Sequence, residues 1–370
     1  MNGKILITGG AGFIGSHLCD LLTENGYQVR ILDNLSEQVH GPWAAIPGYL
    51  PRGTEFIVGD IRDPLAVRDA LKGVDAAFHF ASKVGVGQSM YEIEKYTEVN
   101  NLGTAILLEE LLHHPVKKLI VASSMSIYGE GMYEDPSGNQ KAGCRRNIHD
   151  LRRRVWELYD QGEVLTPVPT PENKTPDLSS IYALSKYDQE KMCLITGGAY
   201  HVPTVALRFF NVYGTRQALS NPYTGVLAIF AARLLNHKAP LIFEDGQQKR
   251  DFIHVKDVAG ACLAALEREE AEGQIFNVGS GHHYTITEIA HQLSQVMGIS
   301  IEPEITGKYR MGDIRHCYAD ISKMKDQLGY TPGIDLDHGL SELAGWLQKQ
   351  TAEDKVSHAG KELATCGLTI

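Results

Sequence analysis

Three glycines spaced by threes, Gly9, Gly12 and Gly15, follow the apolar run Lys4-Ile5-Leu6-Ile7-Thr8 and open a segment where Phe13, Ile14, His17, Leu18, Leu21 and Leu22 repeat at helical spacing. Strand, glycine turn and helix in that order leave few folds open to the chain. Such glycines allow a tight turn, a close approach of backbone to ligand and close helix packing, and they aim a helix N-terminus at negative charge. A pyrophosphate is the group a turn of this kind holds. An acid, Asp33, ends the next apolar run.

Apolar runs at 4–8, 28–33, 54–58, 75–80 and 117–123 alternate with helical stretches at 13–25, 63–72 and 93–113, and 182–209 adds a further helix and strand. The alternation predicts a βαβ series, hence an α/β fold: a Rossmann-type doubly wound parallel sheet with helices on both faces. After 210 the pattern loosens into a helix near 223–237, short strands near 241 and 274, and helices near 285–298 and 337–349. These read as a smaller α/β substrate-binding lobe laid over the C-terminal edge of the sheet. The expected organisation is a dinucleotide-binding domain over 1–210 with an insertion at about 133–178, a mainly substrate-binding lobe over 211–350, and a polar tail over 351–370 that frays or docks loosely.

The bulk numbers exclude several classes. A net charge of -10 argues against a general nucleic-acid binder, which needs a basic surface to track phosphates. The six cysteines, Cys19, Cys144, Cys193, Cys262, Cys317 and Cys366, are scattered without a C-x-x-C pair, so neither a zinc site nor a disulfide framework is expected, and a reducing compartment fits. The N-terminus enters a strand directly instead of showing the parts of a signal peptide. No apolar run approaches the roughly 18 residues of a membrane span. A cytoplasmic protein, with no membrane or nucleic-acid partner and no metal, is the expectation.

Asp33 is placed to accept hydrogen bonds from an adenosine ribose, and its charge repels the extra phosphate of NADP, so NAD is the favoured dinucleotide. The plainer alternative is a carboxylate capping the turn before Asn34. Asp60, closing the third strand, has a weaker claim to reach the adenine. Later in the chain Tyr182 and Lys186 stand four apart at the start of a helix, on one face, so the ammonium is expected to approach the phenol. A nearby cation favours phenolate and makes Tyr182 a usable base near neutral pH. They follow a serine-bearing strand end, Leu119 to Ser123, continued by Ser124-Met125-Ser126-Ile127-Tyr128-Gly129.

The glycine spacing, the stretch His79-Phe80-Ala81-Ser82 and Tyr182-Ala183-Leu184-Ser185-Lys186 together resemble the extended short-chain dehydrogenase family of nucleotide-sugar enzymes, over about 4–347. The resemblance implies a tightly held NAD, with Gly9, Gly12, Phe13, Ile14, Gly15, Asp33, Asn34, Asp60, Ile61, Phe80, Ala81, Ser82, Asn100, Tyr182 and Lys186 around it. It further implies that Tyr182 removes the C4 hydroxyl proton of a sugar while hydride passes to NAD, with Ser124 holding the sugar oxygen and Ser126 assisting. The family's 4,6-dehydratases carry Asp-Glu where this chain has Met125-Ser126, and its decarboxylating members carry Glu in place of Ser126. Without those acids the resemblance implies 4-epimerisation through a 4-keto sugar; a 4-ketoreductase is the neighbouring alternative, and an NAD-sensing protein that has lost catalysis is a distant one.

For a nucleotide-diphosphate sugar the same resemblance points to Arg208-Phe209-Phe210-Asn211, to Gln248-Lys249-Arg250-Asp251-Phe252 and to Gly312-Asp313-Ile314-Arg315. Asn211, Arg250 and Arg315 would hold the diphosphate. Lys83 and Ser124 join them at the substrate. Asp313 either contacts the nucleoside ribose or is an ordinary loop carboxylate, and Cys317 widens the sugar pocket, is a buried structural thiol, or is both. The segments 217–226 and 241–248 are most similar to the dTDP-L-rhamnose 4-epimerase subgroup, which interconverts that sugar with dTDP-6-deoxy-L-talose. No residue argument separates thymine from uracil, so UDP-linked galactose, glucuronate and N-acetylhexosamine stay open.

Fifty-three positions separate Gly129 from Tyr182, about twice the spacing in simpler members. Cysteines are frequent there in the rhamnose subgroup; this chain has Cys144 alone in that region. Within the insertion Arg145, Arg146, Arg152, Arg153 and Arg154 form a basic stretch beside Trp156, read as a solvated helix face in preference to a lid or subunit contact. The helices near 93–113 and 182–200 correspond to the family's dimer interface, with Ile106, Leu107, Leu108, Leu111 and Leu112 serving that surface or the core. A homodimer is expected.

Overall fold

A computed structural model describes residues 3–143, 145–223 and 225–369, so Cys144 and Thr224 lie outside the described residues. Seven parallel strands form the main sheet: β1 (Lys4–Thr8), β2 (Gln28–Asp33), β3 (Glu55–Val58), β4 (Ala76–His79), β5 (Lys118–Ser124), β6 (Thr204–Phe209) and β7 (Ile275–Val278). Their order is β7-β6-β5-β4-β1-β2-β3, a doubly wound Rossmann arrangement whose switch point lies between β1 and β4. The period-two alternation of each strand sorts its side chains between two cores. Ile5, Ile7, Phe78, Ile120 and Leu207 face one core with Leu18 and Leu22 of α1 (Phe13–Glu24); Leu6, Ala77, Val121 and Ala206 face the other with Val67 and Leu71 of α2 (Pro64–Leu71) and Leu107 and Leu111 of α3 (Gly103–His113). Burial on both faces is why the strands read as continuous apolar runs.

Helix starts are written locally. Asp63 caps α2 by accepting from the Leu65 amide at 2.9 Å, with Pro64 at the first helical position. The long helix α4 (Ile181–Tyr200) begins at Ser180, whose side chain accepts from the Ala183 amide, and ends at His201 in the left-handed region with φ 56°. The expected helix over 93–113 is interrupted: Ile93–Tyr96 passes through a π-turn at Thr97–Leu102 before α3.

The boundary expected at 210 is crossed again. Helix α5 (Val226–Leu235) belongs to the second lobe, but α6 (Val255–Glu267), which the sequence reading lacked, packs Val258 and Cys262 against the α1 side of the sheet, and the strand expected near 274 is β7, paired with β6. The second lobe has its own core of Tyr213, Phe230, Ile289, Leu293, Leu340 and Leu343, contributed in part by α7 (Ile286–Val296) and α8 (Leu336–Leu347).

Two other expectations change. The tail is not frayed: α9 (Val356–Thr365) docks through Ala359 and Leu363, one turn apart and buried, and Glu362 accepts from the Tyr91 and Tyr223 hydroxyls. The basic stretch is not one helix face. Only Ile148–Arg152 is helical, while Arg146 is buried and pairs with Glu130 and Glu244. Around them the insertion forms a small antiparallel sheet over a core of Tyr133, Leu158 and Leu165. No helix among the described residues is long and apolar enough to cross a membrane.

A buried charge pair joins β6 to α4. Arg208 donates twice to Glu190, at 2.9 and 2.8 Å, and both side chains are buried. Replacing Glu190 by Ala strands a guanidinium in the core and is expected to lower stability by about 3–5 kcal/mol. Urea unfolding followed by tryptophan fluorescence measures this; an unchanged midpoint would show that the pair does not hold β6 to α4.

Candidate active site

The C-terminal ends of the strands line a cavity of about 740 Å³. Its floor is the glycine turn. Gly9 has φ +71°, and a Cβ there would lie 2.8 Å from the Ala81 amide nitrogen; one on Gly15 would lie 2.6 Å from the Gly9 carbonyl oxygen. Gly12 caps α1, and a Cβ there would lie 3.3 Å from the Gly9 carbonyl oxygen, so its outer side is open to a ligand. Asp33, also on the cavity wall, accepts from the Ala11 amide at 3.0 Å and from the Leu35 amide at 2.9 Å. The carboxylate therefore both braces the turn and keeps lone pairs for a ribose. Glycine cradle, helix N-terminus and carboxylate fit NAD.

Phe13, Ile14, Asn34, Ile61, Phe80, Ala81, Ser82 and Lys83 line the same cavity, as expected. Asp60 does not: Arg62 takes both of its oxygens, Asn34 donates to it, and the Arg62 hydrogen bond chiefly holds its carboxyl down at about 2. Asn100 is also displaced from its expected role. It is fully buried, with Oδ1 accepting from the Lys83 amide at 2.7 Å and Nδ2 donating to the Lys83 carbonyl at 3.1 Å. It clamps the loop that touches the cavity without lining the cavity itself. Arg62 and Gln38, on the wall, were not singled out; nothing in their local pattern marks them.

Ser124, Tyr182 and Lys186 meet on the cavity wall. Burial raises the Tyr182 phenol above its ordinary value, and hydrogen bonding with Ser124 pulls it partly back. Ser126 lies behind Ser124, donating to its hydroxyl oxygen at 2.9 Å, so it supports that oxygen without reaching the cavity. Lys186 departs from the expected arrangement. Its ammonium donates to Gln189 Oε1 at 2.7 Å instead of to the phenol, and burial lowers it to about 7. Gln189 stands one turn further along α4, a spacing that could have marked it.

Beyond this trio the cavity continues along Phe209, Phe210, Asn211, Gln217 and Asn221. Asn211 Oδ1 is buried without a hydrogen-bond partner among the described residues, an acceptor on a cavity-lining residue that a ligand donor would satisfy. The other expected substrate residues lie elsewhere. Arg315 is 1% exposed, and its guanidinium is shared among Glu157, Glu244 and Asp245, which leaves it no free edge for a diphosphate. Arg250 donates to the carbonyls of Lys249, Ile314 and Arg315, and Asp313 pairs with Arg310 at 2.7 Å. Cys317 is a buried thiol 3.8 Å from the Thr170 hydroxyl, the plainer of its two expected roles. Glu157, from the insertion, had no local signal: its partners stand about 160 residues away in sequence.

Comparison with known proteins agrees with this geometry. The family described as NAD dependent epimerase/dehydratase matches residues 5–146 and 157–279. The dTDP-L-rhamnose 4-epimerase of Burkholderia thailandensis is 33% identical over 352 residues, covering 94% of this chain and 95% of that protein. Among solved structures, the UDP-glucose 4-epimerase of Thermotoga maritima with UDP-glucose has a TM-score of 0.77 at 31% identity, covering 94% of this chain and 99% of that one. The UDP-glucuronic acid 4-epimerase of Bacillus cereus, in complex with UDP-glucuronic acid and NAD, has a TM-score of 0.76 at 29% identity over the same shares. The chain belongs to the NAD dependent epimerase/dehydratase family of extended short-chain dehydrogenases, and its cofactor is NAD.

Proposed function

We propose that the chain is a nucleotide-sugar 4-epimerase, and that its sugar is dTDP-L-rhamnose, interconverted with dTDP-6-deoxy-L-talose. The observation that carries the reaction type is the wall itself: Ser124 and Tyr182 stand together on it, and the two positions after Ser124 are Met125 and Ser126, both buried and neither an acid. Elimination or decarboxylation requires a further acid or base beside the sugar, which this strand end does not supply. The sugar choice draws on the similarity to the Burkholderia enzyme and on the segments 217–226 and 241–248.

The glycine turn, Asp33 and the Phe80–Ser82 loop hold NAD. Bound there, NAD would supply reversible hydride transfer at C4 of the sugar. Tyr182 removes the C4 hydroxyl proton and later returns one, Ser124 holds the same oxygen, and Ser126 keeps the Ser124 hydroxyl oriented. Lys83 and Asn211 contact the nucleotide-sugar, while Arg250, Asp313, Arg315 and Cys317 brace the 312–317 segment from behind. The second lobe around Tyr213 and Phe230 carries the sugar-nucleotide side. Exposed Leu102, Leu112, Leu184 and Ile195, on or next to α3 and α4, suit a homodimer packed through those helices.

Incubation with dTDP-L-rhamnose and trace NAD is expected to give a two-sugar equilibrium by NMR. UDP-galactose, UDP-glucuronate and UDP-N-acetylhexosamines run beside it; preferential turnover of one of these would overturn the rhamnose assignment, and stoichiometric NADH release would overturn epimerisation. Tyr182→Phe should retain NAD and lose turnover by about 10²–10⁴-fold, and a fully active variant would remove Tyr182 from the mechanism. Light scattering should give twice the 40.8 kDa chain mass; a monomer would contradict the helix-pair interface.

A further inference from the structure

Lys186 is held by a line of buried hydrogen bonds that begins at the glycine turn. Thr8, the last residue of β1, accepts at Oγ1 from the Phe80 and Ala81 amides, both at 3.2 Å, so its own hydrogen is directed to His79 Nδ1 at 2.9 Å. That bond makes Nδ1 the acceptor and leaves the ring proton on Nε2, which donates to Thr104 Oγ1 at 2.8 Å. Burial lowers His79 to about 3, so the ring stays neutral. Thr104 in turn gives its hydrogen to the Asn100 carbonyl. Its oxygen can therefore only accept from Gln189, whose Nε2 lies at 2.9 Å.

This settles the direction of the Gln189 amide. With nitrogen bound to Thr104, the oxygen must face Lys186, and the 2.7 Å contact shows that it does. Thr8, His79, Thr104 and Gln189 are all 0% exposed, so the line is shielded from water and its members are mutually satisfied. We propose that Gln189 is a positioning residue, whose amide oxygen, fixed in direction by Thr104, holds the Lys186 ammonium against the cofactor end of the cavity. The turn that receives the pyrophosphate and the cation beside Tyr182 are thereby parts of one rigid unit. The claim about turnover rests on the epimerase reading; the claim about Lys186 does not.

The groups facing Lys186 are Glu190 and Cys193 of α4, His79 of β4, and Tyr182 beside it on the wall. All of these are kept in the test, and only the hydrogen-bond partner Gln189 is replaced. Gln189→Leu removes the acceptor, so the ammonium gives up its proton more easily; Gln189→Glu keeps an acceptor and adds charge, so the ammonium keeps its proton to higher pH. The holoenzyme's kcat and KM are measured across about pH 6–10, with thermal unfolding confirming that each variant is folded. Gln189→Leu should lower kcat by about ten- to a hundredfold with little change in KM, and move the alkaline fall of kcat down by about one pH unit. Gln189→Glu should recover most of kcat and move the same limb upward.

NADH binding, read by fluorescence titration over the same pH range, gives a second measure that needs no sugar. Its alkaline midpoint should move downward in Gln189→Leu and upward in Gln189→Glu. Midpoints that coincide with the parent in both variants, or a kcat loss uniform at every pH, would overturn the positioning role. A parent chain that binds NADH with this pH dependence but interconverts no sugar overturns the epimerase reading alone.

Discussion

The contact of Gly15 with the Gly9–Gly10 peptide sets the position of almost everything else in the site. A single Cβ on Gly15 would sit 2.6 Å from the Gly9 carbonyl oxygen and 2.7 Å from the Gly10 Cα, so α1 approaches β1 as closely as backbone allows. That approach puts the N-terminus of α1 over the strand ends at the floor of the cavity, and a helix N-terminus favours negative charge. Gly9, pressed against the Ala81 amide, carries the constraint sideways to β4. Asp33 carries it to β2 through the Ala11 amide. Three strands are thus registered at their C-terminal ends by contacts that tolerate no side chain at two of the glycines.

From this turn outward, the structure treats buried charge in two different ways. Arg208 is matched by a bidentate carboxylate, and Arg315 by three acids, so both are neutralised and immobile. Lys186 is given only the amide oxygen of Gln189, with burial pulling its pKa down to about 7. A carboxylate at that point would hold the proton to higher pH. An amide orients the cation and leaves its charge responsive. The contrast separates cations neutralised within the fold from one that keeps its charge adjustable on the cavity wall.

The parallel sheet and its glycine turn were legible because their signals are local: apolar runs of five to seven residues, glycines at spacing three, and Tyr182 four before Lys186 on one helix. Ser124 was legible for the same reason, as the end of an entirely buried strand. The second lobe was less so. Helix α6 follows directly on the Phe252–His254 strand, and the sequence reading took that region as a substrate segment and stopped there. The tail looked unanchored because its docking rests on Ala359 and Leu363, two residues in an otherwise polar segment, and on Glu362 meeting tyrosines more than a hundred positions earlier.

The substrate arginines show where reasoning by motif stops and charge accounting must take over. Gly312-Asp313-Ile314-Arg315 has the expected spacing, yet the role of Arg315 depends on what else is buried with it. Glu157 arrives from the insertion and binds both Arg315 and His316, and Arg146, from the same insertion, reaches Glu130 and Glu244. An insertion that brings its own cation and anion into the interior can be accommodated only if every charge there finds a partner, because one left over would cost several kcal/mol. Arg315 was the cation nearest those acids and is consumed in balancing them. Of the expected substrate residues, Lys83, Ser124 and Asn211 stand on the cavity wall, while Arg250 and Arg315 are spent behind it on carbonyls and acids, so the motif's two arginines do not reach the cavity.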